Sequence, residues 1–150
     1  MRLTSYTDYA LRTLMHLAAN PDRLVTISDI ADAHGIAKNH LTKVVHQLGV
    51  QGFVETVRGR SGGLRLGRAP KDIRIGDVVR QTETDFYMAA CFDVEDQGCI
   101  YSSACGLKGV LSNATDAFLG VLDEVTLDSL MPKKGRALKG IEIRGMKLQA

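Results

Sequence analysis

The fold is decided by residues 27–45, which read ISDIADAHGIAKNHLTKVV. A helix is predicted from Thr26 to His34, because Thr26 can cap it and Asp29 supplies the second half of a capping box. Gly35 ends this helix, where the chain needs a left-handed residue. A tight glycine turn between two short helices is typical of a helix-turn-helix.

The flanking sequence extends this motif on both sides. The second helix of the motif is predicted over 38–50, and an amphipathic helix over 8–19 precedes it. Two short strands at 53–57 and 63–66 flank a Gly-rich turn. Three helices and a hairpin form a winged helix-turn-helix, so we predict a mainly α fold with a small β-hairpin wing. The residues expected to face inward are Leu11, Leu14, Met15 and Ala18 in the first helix and Leu41, Val44, Val45 and Leu48 in the third.

Beyond the wing, the pattern predicts a short helix, an irregular loop and a long helix. The short helix covers 75–82, and the loop over 83–104 is longer than a compact domain usually tolerates without a functional reason. From about Ser103 to Val125 apolar residues form one continuous stripe, on a helix roughly 30 Å long. One small domain covers only part of such a stripe, so we expect it to pack against its own copy in a homodimer, with an ordinary core helix as the alternative. The stripe consists of Leu107, Val110, Leu111, Ala114, Phe118, Val121, Leu122 and Val125.

The charges divide the chain in the same way. Residues 1–80 hold twelve Lys and Arg against seven Asp and Glu, whereas residues 81–130 hold one Lys against nine acids. A basic front joined to an acidic back suggests two tasks in one chain. We predict a winged-helix DNA-binding domain over 1–82, a cysteine-rich cluster-binding loop over 83–104, a dimerisation helix over 105–131, and a basic, mobile tail over 132–150.

The basic front has the chemistry to read double-stranded DNA. On the third helix, Asn can pair with adenine, Lys with guanine or phosphate, and the Thr methyl with thymine. In the wing, glycines let the backbone approach phosphate, and Arg side chains can enter a minor groove. The residues that we expect to contact DNA are Ser28, Lys38, Asn39, His40, Thr42, Lys43, Arg58, Arg60, Ser61, Gly62 and Arg65.

Composition and missing motifs exclude several classes. The chain has 150 residues, 45% hydrophobic and 24% charged, which is ordinary globular composition. It shows no membrane-span-length apolar run and no signal peptide, so we expect a cytoplasmic protein. No phosphate loop, H-E-x-x-H motif or Ser-His-Asp spacing appears, so we do not expect an enzyme.

All three cysteines lie within fifteen residues, in the pattern C-x7-C-x5-C. An odd number in a cytosolic chain argues against a disulfide framework, and the gaps are too wide for structural zinc. Three thiolates in a loop can hold an iron–sulfur cluster and leave its fourth position to another donor. The cysteines are Cys91, Cys99 and Cys105, and the loop also offers Asp93, Glu95 and Asp96, or a partner chain could supply the donor.

With these residues in view, the sequence resembles the NsrR group of nitric-oxide-sensing iron–sulfur repressors, in the winged-helix regulator family that also includes IscR. The match extends from Leu3 to about Met131 and includes the three cysteines. Its strongest blocks are LTSYTDY at 3–9, NHL at 39–41, VRGRSGGLRLG at 57–67, IRIGDVVR at 73–80 and FLGVLDEVTL at 118–127.

The resemblance implies a homodimeric transcriptional repressor that releases a near-palindromic operator when nitric oxide reacts with a [4Fe–4S] cluster, one per subunit. It also implies the ligands, which are the three cysteines and Asp8 of the partner subunit. In IscR-like proteins a ligand His stands three residues after the last Cys, where this chain has Lys108, which cannot serve. From the residues alone Asp8 reads as a helix cap, and only the resemblance makes it a ligand.

Three alternatives stay open at this point. The first cysteine gap is seven residues, whereas many NsrR relatives have five, so a [2Fe–2S] regulator of redox or iron–sulfur status is the nearest alternative. An iron–sulfur electron carrier or enzyme would need a C-x2-C-x2-C run or a substrate pocket. A metal-free winged-helix interaction module would leave the three clustered cysteines without a role.

Overall fold

The computed structural model describes residues 2–93, 99, 101 and 105–131. The tail predicted over 132–150 and the loop carboxylates Glu95 and Asp96 lie outside the described residues. Within this part of the chain, no helix is long and apolar enough to cross a membrane.

The described residues form six α-helices and one β-hairpin, which confirms the predicted winged helix-turn-helix with a long C-terminal helix. Two short 3-10 turns lie at Pro70–Asp72 and Ala90–Phe92. The elements are α1 Ser5–Ala18, α2 Ile27–His34, α3 Lys38–Val50, β1 Val54–Val57, β2 Gly63–Leu66, α4 Ile75–Thr82, α5 Gly106–Asp123 and α6 Leu127–Leu130.

Helix α1 begins three residues before the predicted start at Asp8. Thr4 caps it, because its hydroxyl accepts the backbone N–H of Thr7 at 3.3 Å. The start was missed because Thr7 reads as an exposed polar residue, although it is fully buried. The prediction that Met15 faces inward is also wrong, since it is 38% exposed and Leu17 is buried in its place.

The helix-turn-helix forms as its sequence predicts. The Thr26 hydroxyl accepts the Asp29 N–H at 3.1 Å, and the Asp29 carboxylate accepts the Thr26 N–H at 2.9 Å, which confirms the capping box. That backbone hydrogen bond lowers the pKa of Asp29 from its ordinary value. Gly35 adopts φ +64°, the left-handed conformation that the turn requires. All four α3 residues predicted to face inward are buried.

The wing is an antiparallel hairpin fastened to the rest of the fold by backbone hydrogen bonds. Strands β1 and β2 pair with Glu55 opposite Arg65. Leu64 exchanges two backbone hydrogen bonds with Val25, at 3.1 and 2.8 Å. The base of the wing is thus fixed to the segment before α2, and its tip projects from that base.

The C-terminal part of the chain folds back onto the winged-helix unit. The Ile75 N–H donates to the Val125 carbonyl, and the Leu127 N–H donates to the Ile73 carbonyl, both at 2.9 Å. Leu127 is fully buried, so α6 belongs to the core of the first unit. The apolar stripe predicted over 103–125 forms α5, and the segment 105–131, predicted as one dimerisation helix, contains the two helices α5 and α6.

Two histidines pair where α1 and α2 meet. His16 Nδ1 lies 3.2 Å from His34 Nε2, and the rings meet edge to face. Burial lowers the pKa of His16 from its ordinary 6.5, as do the neighbouring His34 and Arg23, while Asp29 acts in the opposite direction. The folded state therefore favours the neutral His16 ring.

This pair predicts an acid-sensitive fold. Because the unfolded chain binds a proton at His16 more readily, we expect the free energy of unfolding to fall as the pH drops below about 6.5. His16→Asn should flatten this pH dependence, measured by chemical denaturation at about pH 7.5 and about pH 5.5. His46→Asn, at an exposed histidine of α3, is the matched control and should retain it. An undiminished pH dependence in His16→Asn would contradict the assignment.

Candidate nucleic-acid interface and cysteine site

Helix α3 presents a polar surface next to the wing. Its predicted DNA-contacting residues are all exposed, whereas its apolar face is buried. The Thr42 hydroxyl donates to the Lys38 carbonyl at 2.9 Å, so its acceptor lone pairs and the Thr42 methyl are left for an outside partner. The His40 ring lies 6.1 Å from the Tyr9 ring, which places α1 beside this surface. Ser28 lies in the first turn of α2 and is partly buried. The exposed α3 set is Lys38, Asn39, His40, Thr42 and Lys43.

The wing tip is built for close backbone approach. Arg58, Arg60 and Ser61 are exposed, and Gly59 adopts φ +120°, which side chains rarely tolerate. A Cβ on Gly62 would collide with the backbone of the first strand, so this position also requires glycine. The tip therefore offers two guanidinium groups on a narrow turn.

Arg65 differs from the other wing arginines. It makes two hydrogen bonds to the carboxylate of Glu55 on the opposite strand, at 2.9 and 3.0 Å. These hydrogen bonds hold the pKa of Glu55 below its ordinary value. Arg65 is consequently engaged within the wing, whereas Arg58 and Arg60 lie at its tip. A DNA contact by Arg65 would require this exposed ion pair to open or to share its charge.

The three cysteines are free thiols in partly buried positions. Cys91 lies in the 3-10 turn Ala90–Phe92, and Cys105 immediately precedes α5 without capping it through its side chain. Among the described residues, no three His, Cys, Asp or Glu side chains lie close enough to hold one metal ion. The single chain therefore does not preform a complete site in the part that the structure describes.

Lys108 connects the two ends of the cysteine segment. Its ammonium donates to the Cys91 carbonyl at 2.8 Å and lies 5.5 Å from the centre of the Phe92 ring. Lys108 itself is in the first turn of α5, three residues after Cys105. Lys108 thus holds the turn that carries Cys91 against α5, the helix that begins directly after Cys105.

Asp8 projects from α1 without serving as its cap. Its carboxylate accepts a hydrogen bond from Arg12 Nε at 2.9 Å, one helical turn further on, and is 44% exposed. The cap is Thr4, so Asp8 does not cap the helix, although its place in the first turn is favourable for the helix dipole. An exposed ion pair of this kind contributes only about 0.3–0.5 kcal/mol, so it is easily exchanged for another partner.

Helix α5 exposes an apolar seam. None of its residues is buried, although the helix is eighteen residues long. Leu107, Val110 and Val121 are 64%, 62% and 65% exposed. Seam residues recur at alternating spacings of three and four, which is the repeat of a coiled coil. The predicted stripe is therefore divided, since Leu122 and Val125 pack on the core while the seam faces outward. The seam consists of Leu107, Val110, Ala114, Ala117 and Val121.

The structure also identifies residues that sequence reasoning missed. Glu83, at the end of α4, accepts both the N–H and the hydroxyl of Thr4, at 2.8 and 3.1 Å, and so joins the start of the loop predicted over 83–104 to the start of α1. Arg80 forms a two-pronged ion pair with Asp123, which fastens the end of α5 to α4. Gly76 lies beneath this pair, where a Cβ would collide with the Asp123 carboxylate. The charges were visible in the sequence, but the long-range pairing was not.

Comparison with known proteins places these features in context. The family model described as "Rrf2: Iron-dependent Transcriptional regulator" matches residues 3–133. The HTH-type transcriptional regulator NsrR of Bacillus licheniformis is 54% identical over 132 residues, which covers 87% of this chain and 92% of the relative. NsrR of Bacillus subtilis is 50% identical over 145 residues, covering 96% and 99%.

Solved structures agree at the level of the fold. An IscR from T. potens superposes with a TM-score of 0.70 at 25% identity, covering 86% of this chain and 85% of its own. The oxidised form of Staphylococcus aureus CymR superposes with a TM-score of 0.71 at 25% identity, covering 87% and 95%.

Proposed function

Because the chain belongs to the Rrf2 family of transcriptional regulators, we propose that it is a nitric-oxide-responsive repressor that binds its operator as a homodimer containing [4Fe–4S] clusters. One observation carries the proposal. Three free thiols lie just before α5, the helix with the exposed apolar seam. The loop that carries these thiols begins at Glu83, which accepts a hydrogen bond from Thr4 at the start of α1 in the DNA-reading unit.

The donor set fits an iron–sulfur cluster. Cys91, Cys99 and Cys105 are unpaired and partly buried, and Cys105 stands at the N-terminal end of α5. We assign the fourth ligand to Asp8 of the partner subunit because the family resemblance implies it, and the 44% exposed Asp8 side chain with its weak ion pair to Arg12 is compatible with that role. A bound cluster would supply iron able to react with nitric oxide, while the three cysteines and the Asp8 carboxylate of the partner subunit would hold it.

Asp8→Ala tests this assignment. We expect the variant to lose its cluster about tenfold faster than the wild type, since one ligand per site is missing. The decay of visible absorbance under anaerobic conditions, in the presence of an iron chelator, measures the rate. Asp22→Ala, at another exposed aspartate, is the matched control. Identical decay rates in Asp8→Ala and the control would remove Asp8 from the ligand set.

The seam of α5 supports a homodimer with two reading units. Two chains that pack these seams would bury residues that one chain leaves in water, and a two-fold axis would relate their α3 helices. A near-palindromic operator matches that symmetry, with half-sites roughly one or two helical turns apart. Each half-site would receive one α3 in the major groove and one wing beside it.

Three contacts within the subunit could transmit a change at the cysteines to the DNA surface. Glu83 holds the start of α1, and α1 packs beside α3 through Tyr9 and His40. The Arg80–Asp123 pair fixes α5 to α4 in the same subunit. Release of Asp8 would free α1 from the partner subunit while these intrachain contacts persist, so the two reading units would move relative to each other.

Iron and sulfide analysis tests the cofactor. Anaerobically purified protein should contain four iron and four sulfide ions per subunit, counted by native mass spectrometry. Two of each would favour the [2Fe–2S] regulator, which the seven-residue first gap leaves as the second candidate. A metal-free chain after anaerobic expression with iron would contradict both.

A further inference from the structure

The end of α5 is joined to α4 by contacts that converge on Asp123. Arg80 of α4 binds the Asp123 carboxylate with both nitrogens at the end of its guanidinium group, the second at 2.7 Å. Arg74, the residue before α4, donates from its side chain to the Asp123 carbonyl at 2.7 Å. Exposed ion pairs usually contribute little, but a two-pronged pair within a network of this kind can fix one geometry.

Gly76 makes room for this ion pair in the first turn of α4. It is buried, and a Cβ at this position would collide with the Asp123 carboxylate and lie 2.9 Å from Arg80 Nη1. The three atoms nearest to such a Cβ all belong to the pair. Since glycine weakens a helix relative to alanine, its presence here serves the close approach of α5. We call Arg74, Gly76, Arg80 and Asp123 the α4–α5 joint.

The α4–α5 joint connects α5 firmly to the DNA-reading unit. Backbone hydrogen bonds tie Val125 and Leu127 to the residues just before and at the start of α4, both at 2.9 Å. The opposite face of α4 buries Val78 and Val79 in the core of the winged-helix unit. The direction of α5 is therefore set by the same helix that packs into that core.

Helix α5 extends from the α4–α5 joint as a lever. It has eighteen residues, none of them buried, and spans about 27 Å at 1.5 Å per residue. A rotation of about 5° at the joint would displace its far end by about 2 Å. In the proposed dimer the two seams meet along α5, so the angle at each joint determines the distance and the relative orientation of the two α3 helices.

We propose that the α4–α5 joint sets the half-site spacing that the dimer accepts. Arg80 and Asp123 are positioning residues in this role, since they act through the direction of α5 and not by contact with DNA. The inference rests on the proposed function, because it requires two reading units on one operator. One inserted base pair moves the half-sites about 3.4 Å apart and turns one against the other by about 35°. A stiff joint does not follow that change.

A series of duplexes tests the α4–α5 joint. The first is a duplex that cluster-containing wild-type protein selects from random sequence, and the others carry one or two base pairs inserted at its centre. For the wild type, fluorescence anisotropy should show about a hundredfold loss of affinity on the first insertion, because bivalent binding is lost. Asp123→Asn should reduce that loss to about tenfold, because a looser joint lets the second reading unit reach its half-site. Both proteins should bind a duplex with one half-site equally.

Three further variants separate the joint from damage to the fold. Gly76→Ala should also reduce the loss to about tenfold, because its methyl group displaces the Asp123 carboxylate although alanine favours the helix. The double variant Arg80→Gln/Asp123→Asn should match Asp123→Asn alone, since both changes break one interaction. Asp116→Asn makes the same change at an exposed α5 position outside the joint and the seam, and should keep the wild-type loss.

An undiminished loss on insertion in both Asp123→Asn and Gly76→Ala would overturn the inference. So would a monomeric Asp123→Asn in sedimentation, because the pair would then act on assembly and not on spacing. Weaker binding of every duplex, the single half-site included, would also overturn it, since that pattern reports a damaged reading unit. A wild type that selects no duplex would instead overturn the proposed function.

Discussion

Val121→Glu should lower the operator affinity of the cluster-containing protein about a hundredfold, since bivalent binding commonly contributes a factor of 10² to 10⁴. Val121 is 65% exposed in the single chain and lies in the α5 seam. In the proposed dimer a glutamate at this position would place one charge from each subunit in an apolar contact. Without the dimer, each subunit would bind its half-site independently, and the gain in affinity from bivalent binding would be lost.

Ser112→Glu is the matched control for this experiment. It introduces the same charge on the same helix, at an exposed position outside the seam. Sedimentation of both variants should show a monomer for Val121→Glu and a dimer for Ser112→Glu, with circular dichroism unchanged in each. Equal operator affinity in the two variants would show that the seam does not pair the chains.

Cys99→Ser should abolish both cluster binding and the response to nitric oxide. A serine hydroxyl does not ionise near neutral pH and is a poor ligand for iron in a cluster, whereas a thiolate is a strong one. We expect operator affinity to fall at least about tenfold below that of the cluster-containing wild type, which corresponds to about 1.4 kcal/mol. Visible absorbance, iron content and anisotropy measure the three effects on one sample.

The control for Cys99→Ser is wild-type protein from which the cluster has been removed. If the cysteine acts only through the cluster, the variant and the cluster-free wild type should have the same operator affinity and the same unfolding curve. Cys91→Ser and Cys105→Ser should match them. A cysteine variant that retains visible absorbance and responds to nitric oxide would remove that residue from the site.

The local elements of the fold were predictable because local signals define them. The capping box at Thr26 and Asp29, the left-handed Gly35 and the Gly-rich turn of the wing each act within a few residues. Helix α4 was predicted with its observed bounds for the same reason. For these elements, the local sequence signals and the tertiary packing favour the same conformation, so the predicted and the observed elements agree.

Features that depend on distant residues were not predictable. The early start of α1 requires the burial of Thr7 against the core, and the return of the chain in α6 requires Leu127 to enter that core. A continuous apolar stripe also gave no sign that α5 divides it between the core and an outward seam. Only the packing of α5 on α4 reveals which side remains open.

In the candidate site, too, the residues marked by local sequence patterns were predictable, and the contacts between distant residues were not. Residue types and spacing identified the cysteines and the basic surface of α3, yet Asp8 entered only through resemblance to a family. The structure removes its capping role by showing that Thr4 caps α1, and it adds Arg12 as its local partner. The pairing of Arg65 with Glu55 was likewise invisible until the register of the hairpin was known.

One titration distinguishes a nitric oxide sensor from a regulator that merely binds DNA. Anaerobic, cluster-containing wild-type protein is bound to a fluorescent operator, and nitric oxide is added while anisotropy and visible absorbance are recorded together. We predict that the operator complex dissociates as the cluster absorbance changes, and that the cluster-free protein binds at least about tenfold more weakly from the start. Operator affinity that is the same with cluster, without cluster and after nitric oxide would contradict the proposed switch.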